Sequence, residues 1–452
     1  MRIAIVSPYS WSFPGGVNRH VDALTDELWR RDHEVRVMAP FDPPDRLTRL
    51  THSSEPQITE LPDHIQSLGR SIGIGANGSV SNLSTFPEGV SALRRSLDSF
   101  HPDVVHVHEP SAPVVSWDAC SYSAAPVVGT FHAYSTKAGP NHVASLLGAR
   151  RKFNQLHGRI AVSEAARWTG RRWFGGEYEV IPNGVDLGGP PPGPKPESAE
   201  LRVVFAGRAE ERKGLPVLLG AFEALVEHVP ARLTVVGATP EDVAKHLSEP
   251  KALSRIDALG RVDHDELWRR LHNADVLCAP SLSGESFGMV LTEAFAAGTP
   301  VIASAIAGYA GVVTDGLDGV LVPPSDAQRL AEELQAMYHE PSRRTAMGEA
   351  ARLSAERYAW PCVAERVEEV YARAIEAPLP SWDATGALRR GGFVPIDGSQ
   401  PRPARRIPPL ATEPVPADRP GRIPRRAGLA VGTALGAVLT YLAATRIGLD
   451  NV

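Results

Sequence analysis

Two glutamates eight residues apart, Glu285 and Glu293, lie in the stretch GESFGMVLTE at Gly284–Glu293. A carboxylate accepts hydrogen bonds from sugar hydroxyls, and two at this spacing can serve two sugars at once. With a helix starting around Phe287, Glu293 falls about two turns in and Glu285 waits at the N-terminal mouth. The amides of Ser286, Phe287, Gly288 and Met289 are then open to an anion, as helix starts are. A hexose, a ribose and the diphosphate between them need this set of groups. Solvated helix faces also produce paired glutamates. Here the flanking Gly284 and Gly288 and the apolar setting favour a binding role.

A second group complements the first. Gly207-Arg208 and then Arg212-Lys213-Gly214 follow directly on the apolar run Leu201–Ala206. Two fixed cations, Arg208 and Lys213, could stabilise the charge developing on a departing diphosphate. The plain alternative is a pair of surface cations at a turn. His132 closes the run Gly129-Thr130-Phe131, and a histidine at the carboxyl end of a strand is placed for function rather than packing. Gly15 and Gly16 allow a close approach of backbone to ligand, although the full dinucleotide fingerprint is absent.

These residues need strands and loops to position them, and the chain supplies the pattern twice. The apolar runs at residues 3–6, 35–39, 104–107, 127–130, 159–162 and 178–181 alternate with helically spaced stretches such as Val17, Val21, Leu24 and Leu28. The grammar restarts at residues 201–206 and continues through 233–236, 275–279, 301–304 and 319–322. Short apolar strands alternating with helices predict an α/β protein with two parallel, doubly wound sheets. The Pro/Gly stretch at residues 188–196 reads as the interdomain linker, and the cleft between the halves is the expected ligand site. The domains are therefore 1–190 and 197–357.

The whole chain has 452 residues, 43% hydrophobic and 22% charged, with a net charge of −5. That composition is globular and gives no reason to expect nucleic-acid binding. Cys120, Cys278 and Cys362 are far apart in sequence, with no CxxC pattern for metal or redox chemistry, and MRIAIVSPYS is no signal peptide. Residues 378–426 form a Pro/Arg-rich linker, expected to be disordered; within it, residues 389–426 carry nine arginines and nine prolines. Ala427–Thr445 then runs 19 residues without a charge, bracketed by Arg425-Arg426 and Arg446. As a helix it would measure about 28 Å, so residues 427–446 are expected to be a transmembrane helix. The stronger N-terminal arginine cluster places the body on the cytoplasmic face of the cell membrane, with a single-pass C-terminal anchor.

Together, PGG (14–16), HVHEP (106–110), TFH (130–132), AVSE (161–164), IPNGVD (181–186), GR…RKG (207–214) and GESFGMVLTEAFAAGTPVIAS (284–304) resemble the retaining glycosyltransferases of family 4, with the GT-B fold. The resemblance covers about residues 1–376 and is nearest to the phosphatidyl-myo-inositol mannosyltransferases. It implies two Rossmann-like domains facing a cleft, no required metal or cofactor, and a last helix over 358–376 that returns to the first domain. It also implies a sugar-nucleotide donor, GDP-mannose, and a lipid acceptor at the membrane. Gly16 would then lie near the diphosphate, His132 would touch the transferred sugar, and Arg208 and Lys213 would hold the diphosphate. Glu285 would take the sugar hydroxyls, Glu293 the ribose, and Val262 would offer backbone contacts to the base. On the acceptor side the matching positions are Tyr9, Gly15, Asn77, Ser79 and Lys137. The sequence departs from that pattern at Ala76, Asn82 and Ala133, and an Asn cannot replace an Arg as a bidentate phosphate ligand. A UDP-sugar with another acceptor, a two-carboxylate glycosidase, and a silent sugar-nucleotide-binding membrane scaffold are the competing readings.

Overall fold

A computed structural model describes residues 1–76, 79–84, 86–122, 124–188, 198–248, 250–377 and 383–396. The described residues divide into two compact units, one of Met1–Ile181 with residues 364–377 and 383–396, the other of Pro182–Val363.

The first unit holds β1 (Arg2–Val6), β2 (Glu34–Ala39), β3 (Ile65–Ser67), β4 (Ile72–Ala76), β5 (Ser79–Leu83), β6 (Val104–His108), β7 (Val127–Phe131), β8 (Gly158–Ala161) and β9 (Glu179–Val180). Seven of these form one sheet in the order β3-β2-β1-β6-β7-β8-β9, every pairing parallel. Helices cover both faces of such a sheet, so its strands are buried throughout; β6 and β7 are buried at all five positions. Apart from the β4–β5 hairpin, strand order reverses between β1 and β6, the switch point where open α/β sheets take their ligands.

The second unit repeats this with β10 (Leu201–Ala206), β11 (Ala231–Val236), β12 (Ile256–Gly260), β13 (Val276–Ala279), β14 (Val301–Ser304) and β15 (Gly319–Val322), ordered β12-β11-β10-β13-β14-β15. Leu218, Leu219 and Phe222 of the helix Leu215–Val226 pack on Leu233, Val235 and Val276 in its core. The reversal falls between β10 and β13. The two loops leaving those strands therefore share one end of the sheet: Gly207–Gly214 after β10, and Pro280 onward after β13.

The eleven apolar runs all became strands, with ends shifted by up to two residues. Three regions went unread. β3 is three residues with a polar centre, β12 (IDALG) mixes polarities, and β4 (IGIGA) pairs antiparallel with β5 in a hairpin. Asn77 and Gly78, between β4 and β5, lie outside the described residues, as does most of the expected linker 188–196.

One expectation is corrected. The segment from Pro378 was read as disordered, yet residues 384–390 form a helix that continues into a turn docked on the first unit. Asp383 caps it by accepting the Gly386 N–H at 2.7 Å. The Arg151 guanidinium lies 4.1 Å over the Phe393 ring, Ile396 N–H donates to the Asn154 carbonyl (2.8 Å), and Gln155 donates to the Arg390 carbonyl (2.8 Å). Composition averaged over 389–426 hid this short start. Among the described residues no helix is long and apolar enough to cross a membrane; the expected transmembrane helix at 427–446 and the rest of the linker lie outside them.

Candidate functional site

In the second unit the loop after β10 tightens into a 3-10 turn at Glu211–Lys213 and ends on Gly214. Gly214 has a φ of +72°, and a Cβ there would lie 1.9 Å from the Pro280 carbonyl oxygen. Only glycine permits this approach, which presses the β10 loop onto the β13 loop. The Leu282 N–H donates to the Arg212 carbonyl at 2.8 Å and locks the two together.

That clamp sets the side chains. Glu285 receives Lys213 Nζ at 2.7 Å and also the Arg212 guanidinium. Arg212 Nε in turn lies 2.9 Å from Glu210, and Arg208 Nη1 lies 2.9 Å from the other Glu210 oxygen. Three cations and two carboxylates thus form one chain of ion pairs. Burial alone raises the Glu285 pKa, but Lys213 and Arg212 override it and hold the carboxyl below its ordinary value. Gly308 braces the same point: a Cβ there would come within 2.1 Å of the Glu285 carbonyl oxygen.

Lys213 and Glu285 are brought together as a shared site requires, and Arg208 joins them only through Glu210 and Arg212. Arg212 stood in the cation motif without a role of its own, and Glu210 and Gly308 were not singled out in the sequence. The helix begins at Met289, with Gly288 as its N-cap, so Glu293 stands about one turn in, not two. The extra residues are spent on the left-handed Gly288 (φ +86°). Ser286 is half-buried, while Phe287 is buried with its ring 5.7 Å from Tyr358, leaving its backbone for a ligand. Val262 is half-buried, two residues beyond the end of β12.

The first unit carries a different cluster. β6 places His106 and His108 on one face, since side chains two apart in a strand point the same way. His106 is spanned by Tyr371 Oη (2.6 Å) on the helix Trp360–Glu376 and by Thr130 Oγ1 (2.7 Å) on β7. His108 Nδ1 lies 3.0 Å from Nε2 of His132, which follows β7 directly. His20, on the helix Gly16–Arg30, completes the group with its ring 5.3 Å from His108 and 5.2 Å from His132. Burial holds these rings neutral: it lowers the His106 pKa to about 3 with help from His20, and drives His108 and His132 well below 6.5 with help from neighbouring imidazoles.

Glu109, directly after β6, fixes His132 from behind. It adopts a φ of +49°, its N–H donates to the Thr130 carbonyl (2.7 Å), and its carboxylate accepts the His132 N–H at 3.0 Å. Burial raises the Glu109 pKa. The left-handed conformation costs about 1–2 kcal/mol, which these hydrogen bonds offset. His108 and Glu109 lie in the HVHEP motif without having been assigned a role, and His20 was not singled out. The signal was present, since three histidines are unusual in so apolar a setting.

The other candidates are dispersed. Gly15 caps the helix Gly16–Arg30, both glycines are exposed, and a Cβ on Gly15 would meet nothing within 4 Å. Tyr9 bridges to Leu83 of β5, and the Asn82 carbonyl accepts the Ser10 N–H at 2.9 Å, tying the β1 loop to the hairpin. Lys137 is exposed at the start of the helix Ala138–Leu146. Ser79 pairs with Ala76 at the end of the hairpin, and Asn77 lies outside the described residues. For metal ligation, His20, His108 and His132 each offer one nitrogen, all within 4.8 Å of one another.

Comparison with known proteins assigns the family. The Glycosyltransferase Family 4 domain matches residues 14–188, and the domain described as Glycosyl transferases group 1 matches residues 193–354. A phosphatidyl-myo-inositol mannosyltransferase of Mycobacterium leprae is 37% identical over 82% of this chain and 96% of its own length. That of Mycolicibacterium smegmatis is 36% identical, over 82% and 93%. Among solved structures, sucrose-phosphate synthase from Thermosynechococcus elongatus superposes with a TM-score of 0.63 at 23% identity, covering 83% of this chain and 100% of that one. Two Rossmann-like sheets with the ion cluster at one switch point and the histidines at the other therefore belong to a glycosyltransferase of family 4 with a GT-B-like fold, in the family of the phosphatidyl-myo-inositol mannosyltransferases.

Proposed function

We propose that this enzyme transfers mannose from GDP-mannose to a phosphatidylinositol-like glycolipid at the cytoplasmic face of a membrane, with retention of configuration. The observation that carries the reading is Lys213 and Arg212 held on the half-buried Glu285 at the carboxyl end of β10 and β13. The donor diphosphate takes over the two cations, and Glu285, so released, accepts hydroxyls of the sugar. Glu293 takes the ribose, with the backbone at Val262 beside the base.

The bond between the sugar C1 and the diphosphate oxygen breaks as the acceptor hydroxyl oxygen bonds to C1 on the same face. Its proton passes to the leaving diphosphate oxygen. Lys213, Arg212 and Arg208 stabilise the charge that develops there. His132 is held neutral and can donate a hydrogen bond to the transferred sugar without adding charge. This chemistry asks for no metal or cofactor.

A different lipid acceptor is favoured by one observation. Asn82 stands where the related enzymes carry an arginine, and its carbonyl is bonded to Ser10 at the β1 loop. A neutral amide offers a phosphate no bidentate partner. The deciding experiment incubates the full chain with GDP-mannose, UDP-glucose and other donors, plus a membrane lipid extract or purified phosphatidylinositol. Released nucleotide identifies the donor and the mass gained by lipid identifies the acceptor. Release of UDP alone, or of no nucleotide with any lipid, would overturn the reading.

A further inference from the structure

The histidine cluster holds more coordinating power than a single sugar contact uses. His20, His108 and His132 come from three elements that packing fixes independently: a helix, a buried strand and the residue ending a second strand. One nitrogen from each lies within 4.8 Å of the others. His108 Nδ1 and His132 Nε2, at 3.0 Å, already approximate the ~3.3 Å edge of a tetrahedron with Zn–N bonds of about 2.05 Å. His108 is fully buried.

The surroundings also suit a cation that prefers nitrogen. His106 packs its ring 4.2 Å from that of His108, and Tyr371 and Thr130 occupy both of its nitrogens, so it supports the trio without competing for the ion. Three imidazoles with no carboxylate select zinc-class ions over Mg2+ or Ca2+, which demand oxygen ligands. His132 is only half-buried, which leaves a side open for the ion to enter and for a fourth ligand.

We propose that His20, His108 and His132 form a binding site for a divalent transition metal of the zinc class, and that its occupancy reversibly inhibits transfer by taking His132 from the sugar. The metal is not a cofactor here: it competes for a side chain the reaction uses. Binding stands on the geometry alone; inhibition rests on the role proposed above for His132.

The test uses the full chain after chelator treatment, titrated with CoCl2 and then ZnCl2. Expected is one Co2+ per chain, with the visible ligand-field absorption of a four-coordinate nitrogen-rich site, displaced by Zn2+. His20→Ala and His108→Ala should each weaken binding about tenfold or more, whereas His246→Ala, at an exposed histidine of the other unit, should not. X-ray absorption at the zinc edge of the unaltered protein should show three imidazoles, a readout independent of whether the variants fold. An oxygen-only shell, or binding unchanged by both replacements, overturns the site. Saturating Zn2+ should lower transfer at least tenfold and chelation restore it. Metal bound at the three histidines with turnover unchanged overturns the inhibition. A chain that transfers no sugar at all defeats the proposed function, yet the cobalt spectrum and the zinc edge still decide the site.

Discussion

At its sheet's switch point the first unit gathers neutral rings, while the second gathers full charges. His106, His108 and His132 are kept uncharged by burial; His106 is bonded to Thr130 and Tyr371, and His108 to His132. Arg208, Arg212 and Lys213 are linked to Glu210 and Glu285 in one chain of ion pairs, three cations to two carboxylates. The difference teaches what each site can hand over. A neutral cluster can rotate a hydrogen bond toward a hydroxyl at little cost, but it cannot hold a diphosphate. A charged cluster can hold one only by breaking pairs that already exist.

The largest effect expected from this contrast is on turnover. Lys213→Ala should lower the rate of transfer about 10²–10³-fold with the fold intact, since Arg212 still neutralises Glu285. Initial rates of nucleotide release and circular dichroism check both halves. His132→Ala removes one neutral hydrogen bond and should cost less, about ten- to a hundredfold. If His132→Ala proves the more damaging, the division of labour between the two clusters is wrong.

Acid should separate the units next. The histidines have folded pKa values below the ordinary 6.5, so the unfolded chain binds more protons once the pH falls under that value. Stability of the first unit should therefore fall as pH drops from about 6.5 toward 3, by up to ~1.4 kcal/mol per pH unit for each ring. Glu285 is depressed below 4.5, so its contribution is full above that value and fades only as pH falls through the lower folded pKa. Hydrogen exchange followed peptide by peptide should show the first unit loosening at the higher pH. Loosening of both at one pH would erase the distinction. The smallest effect belongs to a site remote from either cluster. Asp383→Ala should cost about 1 kcal/mol of local stability and speed proteolysis near residues 384–396, leaving turnover unchanged.

Much of this was legible in the residues. Parallel strands buried on both faces read as continuous apolar runs, so β1, β6, β7, β10, β13 and β14 stood out. The 284–293 stretch stood out because glycines and acids interrupt an apolar run. What escaped depended on three-dimensional closeness. Arg212 and Arg208 look alike in sequence, and only the 3-10 turn decides which one reaches Glu285. Gly308 matters because it abuts a backbone 23 residues earlier, which no local pattern encodes. His20 joins the other histidines only once the helix after β1 is packed.

On the proposed donor role, the doubly paired Glu285 makes the site an ion exchanger. An incoming diphosphate would displace one anion by another, and the carboxylate it released would then meet the sugar. Capture of the donor in such a site should depend on ionic strength less steeply than its three cations alone imply. The departing nucleotide need not leave two cations stranded either, because Glu285 stands ready to take them back.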